Sequence, residues 1–398
     1  MSCPRAAFFS TDFLAFSQAF VYEELVHHRQ WEMEVFALRR MNRSRFPFEP
    51  VHAHIPSRCL TKNLEAALYG ATTFSPSHFH RLKTGRFSIM HAQFGTGGVF
   101  ALPYKKLLNI PLIVTFGGYE VPLLQTRRRF HPRYWRYWLA SRSLFNSIDR
   151  FLPVSRDLAR RLIQLGARSD KIHVFSRGIN IPEKIHEKQR SPGCKVLMVG
   201  RFVEKKGFEY GIRALSRVIH KGTEAKLYLV GEGPLLPAYK KIIQTEGIGD
   251  KVEIKSSMSR EKLLELMLEC DLILVPSVTA RNGDIEGTTN VLKEAMAASL
   301  PSVITRHGGN QDLIRDGETG YIVQERDDEA MAEKIRVLAS NPALRRSMGE
   351  QARKFAKTFF SFDRTNAVLE NHYNEVCEQT AKASNNLLRP KGGFNLCR

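Results

Sequence analysis

Two glutamates, Glu286 and Glu294, stand with seven residues between them in the stretch Glu286-Gly287-Thr288-Thr289-Asn290-Val291-Leu292-Lys293-Glu294. The apolar run at 272–276 reads as a strand, and the apolar spacing over 290–298 predicts a helix, so a helix N-terminus falls between the two carboxylates. The backbone N–H groups of Thr288, Thr289 and Asn290 are expected to be free donors there, adding dipole and hydrogen bonds for an anion such as a diphosphate. A carboxylate accepts two hydrogen bonds from a vicinal diol, which is what a sugar and a ribose each offer, so the pair can grip opposite ends of a ligand with a diphosphate at its middle. An isolated pair at this spacing reads equally well as a helix cap plus a solvated glutamate. The surroundings favour the ligand: the strand at 196–200 runs directly into Arg201-Phe202-Val203-Glu204-Lys205-Lys206-Gly207, and Arg201 and Lys206 can neutralise a departing diphosphate. Lys205 reads as the solvated member of that group.

These groups need a scaffold that presents them from one side. Short β-branched or apolar runs alternate with helical patterns along the chain, the signature of parallel α/β sheets. Residues 33–38, 87–93, 111–116, 150–154 and 172–175 form one series of predicted strands, and 195–200, 226–230, 252–255, 271–275 and 302–305 a second. Open sheets of this kind bind ligands at the carboxyl ends of their strands, where Arg201, Lys206 and Glu286 fall. Between the series, residues 181–193 are charged, carry Pro182 and Pro192, lack periodicity and read as the hinge.

The chain of 398 residues is 43% hydrophobic and 25% charged, which excludes disorder, collagen and a disulfide mini-protein and points to two or three domains. Its 60 Lys and Arg exceed its 40 Asp and Glu unevenly: residues 1–180 hold 26 cations and 11 acids. Such a half attracts nucleic acid, a membrane surface or a phosphorylated substrate. No zinc finger, RNA-binding aromatic strand or helix-turn-helix pattern is visible, so nucleic acid is not expected as a partner, and a basic nucleic-acid-binding protein is kept only as an alternative. Residues 127–138 pack five arginines and five aromatics into twelve positions without an acid, and are expected to touch an anionic membrane surface. The longest uncharged stretch, 87–104, contains His91, Gln93, Gly95, Gly97 and Gly98 and is not expected to span a bilayer. Asp12 interrupts the apolar N-terminus, so no signal peptide is expected, and six scattered cysteines without a C-x-x-C pair fit a reducing cytoplasm.

The motifs Val199-Gly200-Arg201, Glu204-Lys205-Lys206-Gly207, Leu229-Val230-Gly231-Glu232-Gly233-Pro234, Glu286-Gly287 through Glu294-Ala295-Met296-Ala297, Gly308-Gly309 and Asp316-Gly317-Glu318-Thr319-Gly320 resemble, in order, the donor half of family 4 glycosyltransferases with the GT-B fold. The N-terminal half is similar, more loosely, to the subgroup acting in cell-surface polysaccharide synthesis. The resemblance implies an α/β protein of two doubly wound Rossmann-like domains facing across a cleft. An acceptor-binding domain would cover 1–183, a nucleotide-sugar-binding domain 184–360, a helix crossing back 361–381 and a mobile tail 382–398. It also implies a retaining transfer from a nucleotide sugar to a glycolipid, lipid-linked saccharide or other glycan, without a cofactor or metal; with the basic aromatic segment at 127–138, the expected location is the cytoplasm, peripheral on the inner face of the membrane. By the same resemblance Arg201 and Lys206 hold the diphosphate, Glu294 the ribose and Glu286 the donor sugar, while Gly231 and Met258 lie in segments against the base.

Where many relatives carry His-Gly after the strand at 113–116, this chain has Gly117-Gly118-Tyr119-Glu120. A histidine often credited with contact to the donor sugar is therefore absent. Backbone N–H groups substitute there, or activity is weakened, and a scaffold that binds a nucleotide sugar without catalysis is a further alternative. His91, with Gln93, is read as a polar group facing the cleft, against the alternative of a satisfied strand-end histidine.

Overall fold

The computed structural model describes residues 3–15, 18–54, 60–185 and 193–388. The N-terminal lobe holds strands β1 (Arg5–Phe13), β2 (Glu32–Arg40), β3 (Val51–Ala53), β4 (Ile89–Gln93), β5 (Leu112–Phe116) and β6 (Arg150–Pro153). Its helices are α1 (Ala19–Val26), α2 (Leu60–Thr72), α3 (Pro76–Thr84), α4 (Phe94–Leu108), α5 (Glu120–Gln125), α6 (Trp135–Ser147) and α7 (Arg156–Gln164). The second lobe holds β7 (Cys194–Val199), β8 (Ala225–Val230), β9 (Val252–Lys255), β10 (Leu272–Val275), β11 (Ser302–Thr305) and β12 (Gly320–Val323). Around them lie α8 (Phe208–His220), α9 (Leu236–Thr245), α10 (Arg260–Glu269), α11 (Asn290–Ala297), α12 (Asp328–Ser340) and α13 (Pro342–Phe360), and α14 (Phe362–Leu388) follows.

Each sheet is parallel and six-stranded, in the orders β3-β2-β1-β4-β5-β6 and β12-β11-β10-β7-β8-β9. The two orders are the same when each lobe is counted from its own first strand. Central strands such as β5, with all five residues buried, are apolar without alternation because helices cover both faces. In this topology the chain leaves the central pair in opposite directions, opening a crevice at the carboxyl ends of β1 and β4, and again at β7 and β10. Small residues bring α4 close to that crevice: a Cβ on Gly97 would lie 2.9 Å from the Phe9 carbonyl oxygen.

The expected α/β fold class is present, with four differences in its elements. The N-terminal apolar residues form central strand β1, which takes its place from pairing with both β2 and β4. β3 and β12 are short edge strands whose sequences carry little periodic signal. Residues 172–175 form no regular strand but run alongside β6, through the parallel bridge from Phe151 to Ile172 and the N–H groups of His173 and Phe175, which donate to Phe151 O and Pro153 O at 2.9 Å each. Helix α14 runs to Leu388, into the stretch expected to be a tail, while 389–398 lie outside the described residues, as do 186–192 of the expected hinge. Leu369, Tyr373 and Val376 of α14 pack into the core of the N-terminal lobe beside Phe8, Ile113 and Phe175, so the last helix belongs to the first lobe. Among the described residues no helix is long and apolar enough to cross a membrane.

Candidate active site

Three loops at the carboxyl edge of the second sheet are knitted together. Gly207 has φ +61°, and a Cβ there would fall 1.9 Å from the Pro276 carbonyl oxygen, so the turn Glu204–Lys206 is pressed against the end of β10. The Val278 N–H donates to the Lys205 carbonyl at 2.9 Å. Gly231, with φ +144°, leaves no room for a side chain, since its Cβ would meet the Gly200 carbonyl oxygen at 1.9 Å. Its N–H donates to Lys255 O at 2.9 Å, and Ser257 N–H donates to Glu232 Oε1 at 3.2 Å, which brings half-buried Met258 to the same edge.

At the β7/β10 crevice, Lys206 Nζ stands 3.3 Å from Glu286 Oε1 and Lys205 Nζ 3.5 Å from the same oxygen. Burial pushes the Glu286 carboxyl up, but Lys206 and Lys205 outweigh it and hold the carboxyl at about 2. Lys205 is therefore not the solvated residue expected. It is 9% exposed and also reaches Asp284 Oδ1 at 3.4 Å and Ile285 O at 3.3 Å, because the acidic loop folds back over the one-turn helix that carries it. Arg201 is the exposed cation of the group, and among the described residues it makes no ion pair.

A relay unseen in the sequence fixes the backbone of Glu286. Its N–H donates to His307 Nε2 at 3.0 Å, so that nitrogen is unprotonated and Nδ1 carries the proton donated to Glu325 Oε1 at 2.6 Å. Burial raises the Glu325 carboxyl, but His307 and the Thr279 N–H at 2.9 Å bring it down to about 2. The signal for this pair was present only as polar residues just after β11 and β12, and β12 itself was not recognised.

The N-terminus of α11 differs from expectation. Thr289 N–H is not free, because it donates to the buried Asn310 side chain at 2.9 Å, which caps the helix from the loop after β11. Half-buried Thr288 and Asn290 flank it. Glu294, on the next turn, pairs with Arg260 Nη2 at 3.1 Å, and the same guanidinium reaches Glu23 of the N-terminal lobe at 3.6 Å.

Opposite Glu286, the Gly117-Gly118 turn presses on Gly287. A Cβ on Gly287 would lie 2.1 Å from Gly117 O, and one on Gly118, whose φ is +150°, 3.1 Å from Gly287 N. A side chain at position 117 would have to displace the Phe94 ring, whose Cε1 would be 2.5 Å from its Cβ. The turn is held by fully buried Glu120, whose Oε1 accepts the Gly117 N–H at 2.6 Å, and burial pushes this carboxyl up to about 7. Asp312 accepts the Arg156 N–H at 2.8 Å across the same seam. His91 does not face the cleft. It is fully buried, its ring nitrogens bonded to Tyr373 Oη at 2.6 Å and Thr115 Oγ1 at 2.7 Å, because α14 covers that end of β4.

Two facing doubly wound lobes, with cations and a carboxylate at the switch point of the second, define the GT-B class of fold. Residues 182–355 match the family described as Glycosyl transferases group 1, and residues 21–178 match the Glycosyl transferase 4-like domain. The chain belongs to this family of glycosyltransferases. It is 31% identical over 252 residues to the amylovoran biosynthesis glycosyltransferase AmsK of Erwinia amylovora, a match covering 61% of this chain and 59% of AmsK. It is 30% identical over 181 residues to the alpha-D-kanosaminyltransferase of Streptomyces kanamyceticus, covering 46% and 45% of the two chains. The chain spans only 59–61% of the length of AmsK and of two colanic acid relatives from enteric bacteria. Among solved structures, a glycosyltransferase from Rickettsia africae superimposes with a TM-score of 0.74 at 18% identity, covering 94% of this chain and 99% of that one. Anabaena HepE, in complex with UDP and glucose, does so with a TM-score of 0.72 at 16% identity, covering 94% and 100%.

Proposed function

We propose that this chain is a retaining glycosyltransferase that moves a sugar from a nucleotide-sugar donor to a glycolipid or lipid-linked saccharide in cell-surface polysaccharide synthesis. The observation that carries the reading is the meeting of Lys206 and Lys205 with the Glu286 carboxylate at the β7/β10 switch point. In such a transfer positive charge develops on the sugar while negative charge grows on the leaving diphosphate, so groups placed for both charges lower the barrier more than they tighten ground-state binding. Glu286 is ionised throughout the neutral range and accepts hydrogen bonds from sugar hydroxyls. Lys206 and the exposed Arg201 neutralise the diphosphate, so side-chain cations do this work without a metal or other cofactor. Glu294 receives the ribose by exchanging its Arg260 partner for the diol. The acceptor attacks on the face the diphosphate leaves, and a diphosphate oxygen takes its proton. AmsK, named for amylovoran biosynthesis, and HepE, solved with UDP and glucose, support the polysaccharide and nucleotide-sugar parts of the reading. The acceptor would be met in the cytoplasm, at an anionic membrane face touched by residues 127–138.

A second reading, binding of a nucleotide sugar without catalysis, is favoured by one observation: the turn offers no side chain at position 117, and the Phe94 ring occupies the space one would enter. Incubation with a mixed pool of labelled nucleotide sugars, without acceptor, separates the two. Slow hydrolysis of one donor, with first release of the sugar in the donor's own anomeric configuration, is expected. Tight binding with no hydrolysis, and no transfer to a lipid extract, would replace the enzyme with the scaffold.

A further inference from the structure

Large hydrophobic side chains left open to solvent concentrate on one side of the N-terminal lobe. Leu60, Leu64 and Leu68 of α2 are 83%, 71% and 42% exposed, and their four-residue spacing lines them along one stripe. Buried Tyr69 faces the other way, into the core. The stripe continues to Ala71 and Thr72, where it becomes one wall of an apolar groove of about 580 Å³. The far wall is α6, with Trp135 and Leu139, 52% and 60% exposed, and the Arg136 guanidinium ties the two helices together by donating to the Gly70 carbonyl. Phe130 and Trp138 stack edge to face at 5.1 Å just beyond, both exposed.

The charges around this surface have one sign. Between Val121 and Ile148 the chain has six arginines and no acid, and Lys106 stands on the groove rim. The acid of α2, half-buried Glu65, is engaged locally, accepting from Ser75 Oγ at 2.7 Å and Ser77 N–H at 2.9 Å. A surface that offers hydrocarbon and cations together, with its acid occupied elsewhere, is complementary to anionic headgroups above acyl chains rather than to a protein face of mixed charge.

We infer that the exposed faces of α2 and α6 dock on an anionic lipid bilayer, with the groove between them taking a hydrocarbon chain of a bilayer lipid. This deepens the membrane part of the proposed function and rests on it, adding α2 and the groove to the basic segment. Arg128 lies 3.8 Å from Asp284 of the second lobe, and Arg129 donates to Leu124 O at 3.2 Å, so charge reversal there would disturb lobe contact and loop shape as well as docking.

Trp135 and Trp138 are two of three tryptophans, and the third, Trp31, is 6% exposed, so tryptophan fluorescence reports this face. The full chain is mixed with vesicles of equal parts phosphatidylglycerol and phosphatidylcholine, with and without bromine on the acyl chains. Quenching by the brominated chains is expected for the wild type. Leu60→Glu/Leu64→Glu and Leu139→Glu, all at exposed positions, should each weaken vesicle affinity by about tenfold or more while leaving the thermal melt unchanged. Wild-type affinity in both variants, or bound protein with no quenching, would overturn the inference. So would a concentration-dependent dimer in sedimentation that Leu60→Glu/Leu64→Glu abolishes, since the face would then belong to a second copy. Labelled nucleotide-sugar binding, measured in the same preparations without vesicles, keeps the two readings apart. Donor binding without vesicle binding sinks the docking alone, and quenched vesicle binding without donor binding upholds the docking and sinks the transferase reading.

Discussion

At Glu286 the balance between burial and two neighbouring ammonium groups decides a protonation state, and that state decides what the residue can do. A carboxyl held at about 2 is a hydrogen-bond acceptor and a negative charge at every physiological pH, never a proton donor. Glu286→Gln keeps the shape and loses the charge that orients hydroxyls and favours an oxocarbenium-like transition state. Turnover is expected to fall by about 10²–10³, as for loss of one electrostatic contact of this kind, with nucleotide affinity changed little. Kinetics beside calorimetry with the nucleoside diphosphate check it, and near wild-type turnover would remove Glu286 from the mechanism. Glu286 and Lys206 were legible in the sequence because Lys206 lies in the turn that follows β7 and Glu286 lies just ahead of the start of α11, both of which local pattern reveals. His307 and Glu325 were not, since each sits 18 or more residues from the group it supports and meets it only through strand order.

Turns and helix ends carry the next set of consequences. The Gly117-Gly118 turn meets Gly287 so closely that Gly287→Ala, with its Cβ 2.1 Å from Gly117 O, must separate the lobes locally. A displacement of about 1 Å at the reacting centre costs roughly 10²-fold in rate, so transfer should collapse while the second lobe still binds nucleotide. Steady-state kinetics with small-angle scattering reads both effects. Glu120, which holds the same turn, has a carboxyl raised from its ordinary 4.5 to about 7 by burial. Folding therefore favours the protonated form: the stabilisation is complete below 4.5 and is lost as pH rises through about 7. Buried Glu24, also raised, acts in the same direction. Glu120→Gln should flatten this loss, worth up to about 3 kcal/mol, and denaturant midpoints measured across the range test it. A slope equal to that of the wild type would show that Glu120 does not titrate as its burial dictates.

Over the whole molecule, α14 ties the end of the chain to its beginning. Glu370 Oε1 accepts the backbone N–H groups of Arg29 and Gln30 at 2.7 and 3.0 Å, and Asn366 Nδ2 donates to Glu24 O at 2.7 Å. Tyr373 Oη reaches His91 at 2.6 Å in a wholly buried setting. Tyr373→Phe leaves one ring nitrogen of His91 unpartnered, at a cost of about 1–3 kcal/mol. Thermal denaturation measures this, and an unchanged midpoint would mean that water replaces the hydroxyl. Because the helix belongs to the first lobe and follows the last element of the second, the chain passes from the first lobe to the second and returns, and the cleft lies between them.

Sequence alone determined the alternation of strands and helices, the two-lobe plan, and the placing of Arg201, Lys206 and Glu286 at strand ends, because period and turn chemistry are properties of neighbouring residues. The motif order carried the family. Only the tertiary structure decided that Lys205 is buried rather than solvated, that Asn310 takes the Thr289 N–H, that His91 is covered by α14, and that β1 is a central strand. The first three depend on which polar group arrives from a distant part of the chain to satisfy a buried partner, and the last on which strands pair with β1. Strand order and helix packing settle that meeting, and no local pattern encodes it.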